Sequence, residues 1–395
     1  MNPYRNGPPP KWWAPKLNPS VVKWSRPFRD RMQWKRQRLK DVKVEGVEHL
    51  RDAYRDGCGI MITPNHASHA DPFAMYAAGD AVPCPLHFMA TWHVFTAQGR
   101  LGQWALQRIG VFSVDREGAD LQAFKAAVKI MQESRYPLVI FPEGEIYHCN
   151  ARLTPFREGT ATIALTAARR AKRRIVCIPT AIKYRYLDDP TDDLLTVMSK
   201  LEAHIHWRPK ASTPLPKRIY AFAEAVLTLK EIEYLGTIGH GDLPQRVKQL
   251  ADEILTTIEQ RHDYSKPTAT VPERIKEVRS RILEKLSDHP EIYAETGPAK
   301  QLNEDLDDIF FVSQLFSYPG DYVSQDPSVE RMAETIDKFE EDVLQLPTAQ
   351  IRGVRTASVS FGEPVEVESS KRSKTAVANL TQLLESRVQG LLDSC

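Results

Sequence analysis

One stretch, Thr63-Pro64-Asn65-His66-Ala67-Ser68-His69-Ala70-Asp71-Pro72, holds a base and a carboxylate at a spacing that could do chemistry. Asp71 follows His66 by five residues. Continuous helix would put the two on different faces, so the spacing predicts a turn. Pro72 fixes its own φ and favours a helix start, with Asp71 as cap. In such a turn Asp71 would take one ring nitrogen of His66 and leave the other for a substrate hydroxyl. That is the base-and-orienter half of a hydrolase triad, with the nucleophile supplied by the substrate. The plainer alternative makes Asp71 a helix cap and His66 a loop histidine. His66 and His69 lie in a turn that lacks a third ligand at metal spacing, so no metal site is expected.

Four apolar runs must position such a site. Gly59-Ile60-Met61-Ile62 reads as a buried strand ending at the His66 loop. Gly110-Val111-Phe112-Ser113-Val114-Asp115-Arg116 is a strand ending in Arg116. Pro137-Leu138-Val139-Ile140-Phe141-Pro142-Glu143-Gly144 opens into a loop at Glu143, and Ile175-Val176-Cys177-Ile178-Pro179-Thr180-Ala181 is another strand. Pro85–Ala90 adds a candidate, and Val42–Leu50 reads as the lead-in to the first core strand. Helices after Pro72 and over Leu121–Glu133 alternate with these strands. The pattern predicts an α/β fold: a mainly parallel sheet flanked by helices. In such sheets ligands bind at the rim where strands open into loops.

The four segments, in this order, resemble the glycerolipid acyltransferase family, which includes the lysophosphatidic acid acyltransferases. Its pattern is Asn-His-x-x-x-x-Asp, then Gly-x-Phe-x-x-x-Arg, then Phe-Pro-Glu-Gly, then an apolar run into proline. The resemblance implies transfer of a fatty acyl group from a thioester, carried by coenzyme A or acyl carrier protein, to a glycerolipid hydroxyl such as that of 1-acylglycerol 3-phosphate. It implies no other cofactor. His66 and Asp71 would be catalytic; Asn65, Ser68, Arg116, Glu143, Gly144 and Pro179 would contact substrate. Ser68 reads as a turn hydrogen-bonder rather than a nucleophile. Arg116 at a strand end suits bidentate grip of a phosphate, with a surface salt bridge as its alternative. Glu143 would accept from an acceptor hydroxyl or hold Arg116, and Pro179 would shape the acyl-chain side or simply end a strand. One departure bears on the acceptor. A Thr-Arg pair often follows Phe-Pro-Glu-Gly in the family, whereas this chain has Glu145-Ile146. Arg152 or Arg157 would then supply the missing charge. Glycerol 3-phosphate or another lysolipid is the alternative acceptor, and a non-catalytic lipid-binding or scaffold protein the alternative class.

The chain has 395 residues, 42% of them hydrophobic, enough for a sizeable core. Its formal charge of +2 hides an asymmetry: residues 11–40 carry +9 and the remainder −7. Trp24, Phe28, Met32 and Trp34 interleave with those basic residues. Aromatic rings among cations suit a membrane interface; nucleic acid and a solvated helix docked on the main domain are the competing readings, and no nucleic-acid partner is expected. Five cysteines without paired spacing point to a reducing compartment. No cleavable signal or run of transmembrane length is found. The expected location is cytoplasmic, peripheral on the inner face of a membrane.

Four regions follow: a basic, aromatic membrane-surface segment over 1–40, an acyltransferase core over 41–190, a mostly helical region over 191–350, and a strand pair with a terminal helix over 351–395. The helical region repeats. Leu215-Pro216-Lys217-Arg218-Ile219, Leu243-Pro244-Gln245-Arg246-Val247 and Val271-Pro272-Glu273-Arg274-Ile275 start 28 residues apart. Glu231 and Glu259 also match, where the third copy has Ser287. The repeat predicts three similar helices that stack and a place for a protein partner. Val354–Val367 alternates like a strand around a bend at Gly362-Glu363-Pro364, and would return the chain to the core.

Overall fold

A computed structural model describes residues 11–116, 120–265, 269–287, 298–368 and 374–395. These divide into two compact units, Pro10–Pro190 with Gln350–Cys395, and Thr191–Ala349.

The first unit is built on strands β1 (Leu39–Glu45), β2 (Gly59–Pro64), β3 (His87–Thr91), β4 (Val111–Val114), β5 (Leu138–Val139), β6 (Ile175–Tyr186), β7 (Arg355–Phe361) and β8 (Val365–Glu366). Among the described residues they form one eight-stranded sheet in the order β1-β7-β6-β2-β5-β3-β4, with β8 also on β6. Every pairing is parallel except β6 with β7 and with β8. The mainly parallel α/β fold expected from the alternating runs is the observed one. The first strand differs: it begins at Leu39, and Val47–Arg55 is a helix. Gly46 breaks the two apart with a left-handed φ of 64°.

Both sheet faces are covered. Ile60 and Ile62 point into one core with Leu50, Met75 and Ala78, while Met61 points into the other with Ala127, Met131, Ala164 and Leu384. The period of two explains why β2 and β6 read as continuous apolar runs. Asp120 caps the helix Leu121–Glu133 by accepting from Ala123 N at 2.8 Å. The last helix, Lys374–Ser394, lies on the core of Met61.

Residues 11–38 also pack on this unit. Trp13 stacks on Phe95 at 4.9 Å, and its backbone exchanges hydrogen bonds with Ser113 of β4. The helix Pro19–Gln37 is fixed by Arg29, which is buried and paired with Asp80 at 2.7 Å. Its outer stripe is Trp24, Phe28, Arg31 and Lys35, at helical spacing.

The second unit is helical, with its own core of Leu250, Leu255, Ile258, Val278, Ile282 and Ile309. The repeated motifs start the helices Leu215–Leu235, Leu243–Arg261 and Val271–Ser287. Their arginines share one job. Arg246 forks onto Glu231 (3.0 and 2.6 Å) and reaches Thr228 (2.8 Å). Arg274 forks onto Glu259 (2.8 and 2.7 Å) and reaches Thr256 (3.1 Å). Arg218 does the same to Glu202 and Ser199 of the preceding helix, Thr191–His204. The glutamate of each copy therefore receives the arginine of the next. The third copy has no successor of this pattern in the sequence, and it carries Ser287 at the position of the glutamate.

Candidate active site

β2, β4 and β5 run parallel, so the loops that follow them meet at one rim of the sheet. The loop after β2 turns at Ser68, whose hydroxyl accepts from Ala70 N at 3.2 Å. This brings Asp71 back onto His66: Nδ1 lies 2.7 Å from Asp71 Oδ2. Asp71 is the first residue of the helix Asp71–Ala81 rather than its cap, which is Ala70. A carboxylate in the first turn is favoured by the helix dipole, and Ser68 N donates to the same Oδ2 at 3.0 Å. With Nδ1–H directed at a carboxylate, Nε2 carries the lone pair. The ring of Phe141 stacks on His66 at 4.1 Å and fixes its plane.

Tyr184, on β6, donates its hydroxyl to Asp71 Oδ1 at 2.7 Å. Asn65 is fully buried, and both ends of its amide are used on Ile182: Nδ2 to the carbonyl at 2.9 Å, Oδ1 from the N–H at 2.7 Å. Asn150 repeats this on Tyr184, two residues further along β6. The two side chains continue the ladder of β2 beyond its last residue. The structure thus gives Asn65 a scaffold position, behind His66.

Glu143 is 3% exposed. Its oxygens accept from His66 N at 2.7 Å and Thr154 N at 2.9 Å, tying the histidine loop to the segment after Phe-Pro-Glu-Gly. Burial, the largest cause, pushes its carboxyl up to about 7 against the pull of those two donors. Arg116 binds the carbonyl of Gly144 rather than the Glu143 carboxylate. Gly144 has φ 83°, and a Cβ there would lie 2.6 Å from Arg157 Nε, so only glycine lets that guanidinium approach. Arg116 and Arg157 therefore converge on one turn beside the base. Arg157 also has Glu145 at 3.6 Å. Pro179 is buried in β6, opposite Thr63, where β6 passes from β8 to β7 and a ladder donor is not needed.

The terminal helix supports this rim. Glu385 accepts from Phe156 N at 2.7 Å and Gln389 from Leu153 N at 3.0 Å. Tyr184, Asn150, Thr154 and Glu385 escaped the sequence reading. Only Tyr184 carried a signal, as a polar aromatic three residues past the apolar run Ile175–Ala181, which the structure extends to Tyr186.

The rim presents a histidine oriented by a buried carboxylate, flanked by two arginines, on an α/β sheet. Residues 41–183 match the family model described as Acyltransferase, which supports acyl transfer as the general activity of this part of the chain. No curated protein matches the chain.

Proposed function

We propose that the protein is an O-acyltransferase moving a fatty acyl group from a thioester, on coenzyme A or acyl carrier protein, to the hydroxyl of 1-acylglycerol 3-phosphate. The observation that carries this is the 2.7 Å contact of His66 Nδ1 with Asp71, which leaves Nε2 as the base. Nε2 takes the proton of the acceptor hydroxyl, and the oxygen attacks the thioester carbonyl. The tetrahedral intermediate collapses with cleavage of the C–S bond, and the leaving thiolate takes the proton from the imidazolium. Asp71 stabilises that imidazolium. Arg116 and Arg157 supply positive charge for the acceptor phosphate. Glu145 beside Arg157 weakens that charge, and this favours, as a second reading, an acceptor whose phosphate is masked by a further headgroup.

Trp24 and Phe28 are 83% and 66% exposed on the helix Pro19–Gln37, and Leu101 and Trp104 are exposed on the helix Arg100–Arg108. Such rings among cations support a peripheral position on the cytoplasmic face of a membrane. Among the described residues no helix is long and apolar enough to cross one. Exposed Leu229, Ile232 and Ile238 support a protein partner on the helical unit.

The test is thiol release from oleoyl-coenzyme A with a panel of acceptors. His66→Ala should lose roughly 10²–10⁴-fold in kcat, and Asp71→Asn up to about 10⁴-fold. Arg116→Ala should raise KM for phosphate-bearing acceptors and leave that for the thioester unchanged. Near-normal turnover by His66→Ala removes the proposed mechanism.

A further inference from the structure

Asp71 is fully buried. A buried carboxylate is held only as firmly as the donors around it. Two of its donors, His66 and Ser68, belong to its own turn and would move with it. The third, Tyr184, comes from the sheet. β6 is anchored there on both edges. Tyr184 pairs with Ala357 of β7 on one side, and on the other the Asn150 amide donates to its carbonyl at 2.7 Å and accepts from its N–H at 2.8 Å. The guanidinium of Arg355 lies over the ring at 5.4 Å. Burial first, then Asp71, pushes the phenol well above its usual value, so the hydroxyl stays a donor.

We propose, on the acyl-transfer function above, that Tyr184 is the positioning residue of the dyad: its hydroxyl fixes the plane of the Asp71 carboxylate, so that Oδ2 meets His66 Nδ1 and Nε2 faces the acceptor hydroxyl. The torsion that turns a carboxylate is broad and two-fold. Without an anchor on Oδ1, Asp71 can rotate off Nδ1 with no movement of the backbone. Tyr184 forms and breaks no bond during transfer. It is a fixed donor that ties the catalytic turn to a strand bonded on both of its edges at that position.

Tyr184→Phe removes one oxygen and keeps the ring under Arg355, so the fold is retained. With oleoyl-coenzyme A and 1-oleoylglycerol 3-phosphate, kcat should fall on the order of ten- to a hundred-fold, the effect of losing one hydrogen bond to a buried charge. Both KM values should stay within about two-fold, because no substrate contact is lost. In the Asp71→Asn background the same change should cost far less, since the two residues act as one unit. Long-range ¹H–¹⁵N spectra of ring-labelled histidine give a readout independent of turnover, with His66 assigned by its loss in His66→Ala. The wild type should show the Nδ1–H tautomer alone, and Tyr184→Phe a mixture of both. A pure Nδ1–H tautomer in Tyr184→Phe overturns the proposal, as does unchanged kcat. A fall in kcat that follows only a fall in Tm, with the tautomer unmoved, makes Tyr184 merely structural. If the wild type turns over none of the acceptors, the acyl-transfer function fails, while the tautomer comparison still decides whether Tyr184 holds the dyad.

Discussion

Glu143 and His87 sit in the same sheet unit and should pull its stability in opposite directions with pH. Burial holds His87 down, from its usual 6.5 to about 4, as burial raises Glu143 from 4.5 to about 7. Between about pH 4.5 and 7 the folded chain keeps a proton on Glu143 that the unfolded chain has lost, so stability falls as pH rises. Between about 4 and 6.5 the unfolded chain binds a proton at His87 that the folded chain refuses, so stability rises with pH. Each amounts to on the order of 3 kcal/mol across its window, and the two largely cancel between pH 4.5 and 6.5. Glu143→Gln should therefore unmask a Tm that climbs over that range, and His87→Gln one that declines. The Gln amide nitrogen opposes one of two backbone donors at position 143, which lowers Tm throughout; the slope is the readout. Parallel slopes in the two variants would show that these groups do not set the pH response.

At the scale of elements, the helical unit depends on a pairing scheme rather than on apolar stripes alone. The Arg218–Glu202 pair is nearly inaccessible to solvent, with the guanidinium Nε and Nη2 bound to the glutamate and Nη2 also to Ser199. Breaking such a pair leaves one buried charge uncompensated. Arg218→Ala should cost roughly 3–5 kcal/mol, whereas replacing both partners, as Arg218→Met with Glu202→Leu, should cost far less or nothing. Urea denaturation of the three proteins separates these outcomes. Equal losses in the single and double variants would mean that packing, not charge, joins successive helices. The same logic explains the spacing. An arginine in the first turn of one helix reaches a glutamate near the end of the previous one only if helix and loop lengths are kept, and this fixes the 28-residue period.

At the scale of the whole molecule, residues 11–38 serve both the fold and the surface. Trp13, Val22 and Arg29 are inside; Trp24, Phe28 and Trp34 are outside. Deleting residues 1–40 would remove the Trp13–Phe95 stack and Leu39 of β1, so membrane contact is better tested by point changes. Trp24→Ala with Phe28→Ala should weaken binding to phosphatidylglycerol vesicles on the order of ten-fold per ring, at low and high salt alike, because apolar burial is not screened. Lys23, Arg31 and Lys35 changed to Gln should weaken it at low salt, where each charge is worth about 1 kcal/mol, and much less in high salt. Unchanged sedimentation of the aromatic variant would place lipid contact elsewhere on the chain.

Local patterning by itself determined the fold class, since continuous apolar runs of strand length alternating with helical periods admit little besides a parallel sheet with both faces covered. It also determined that His66 and Asp71 share a turn, because a five-residue separation followed at once by a proline leaves a short polar loop few alternatives. The 28-residue period was legible too, since proline marks each helix start at the same offset. What the tertiary structure alone decided are contacts between residues far apart in the chain. Tyr184 meets Asp71 across 113 positions, Asn65 meets Ile182 across 117, and Glu385 meets Phe156 across 229. Nothing local distinguishes an asparagine that closes a ladder from one that binds substrate; which it does is set by the strand that passes beside it. Likewise Arg29 and Arg31 are the same residue type two positions apart, and only the packing of their helix sends one inward to Asp80 and the other outward.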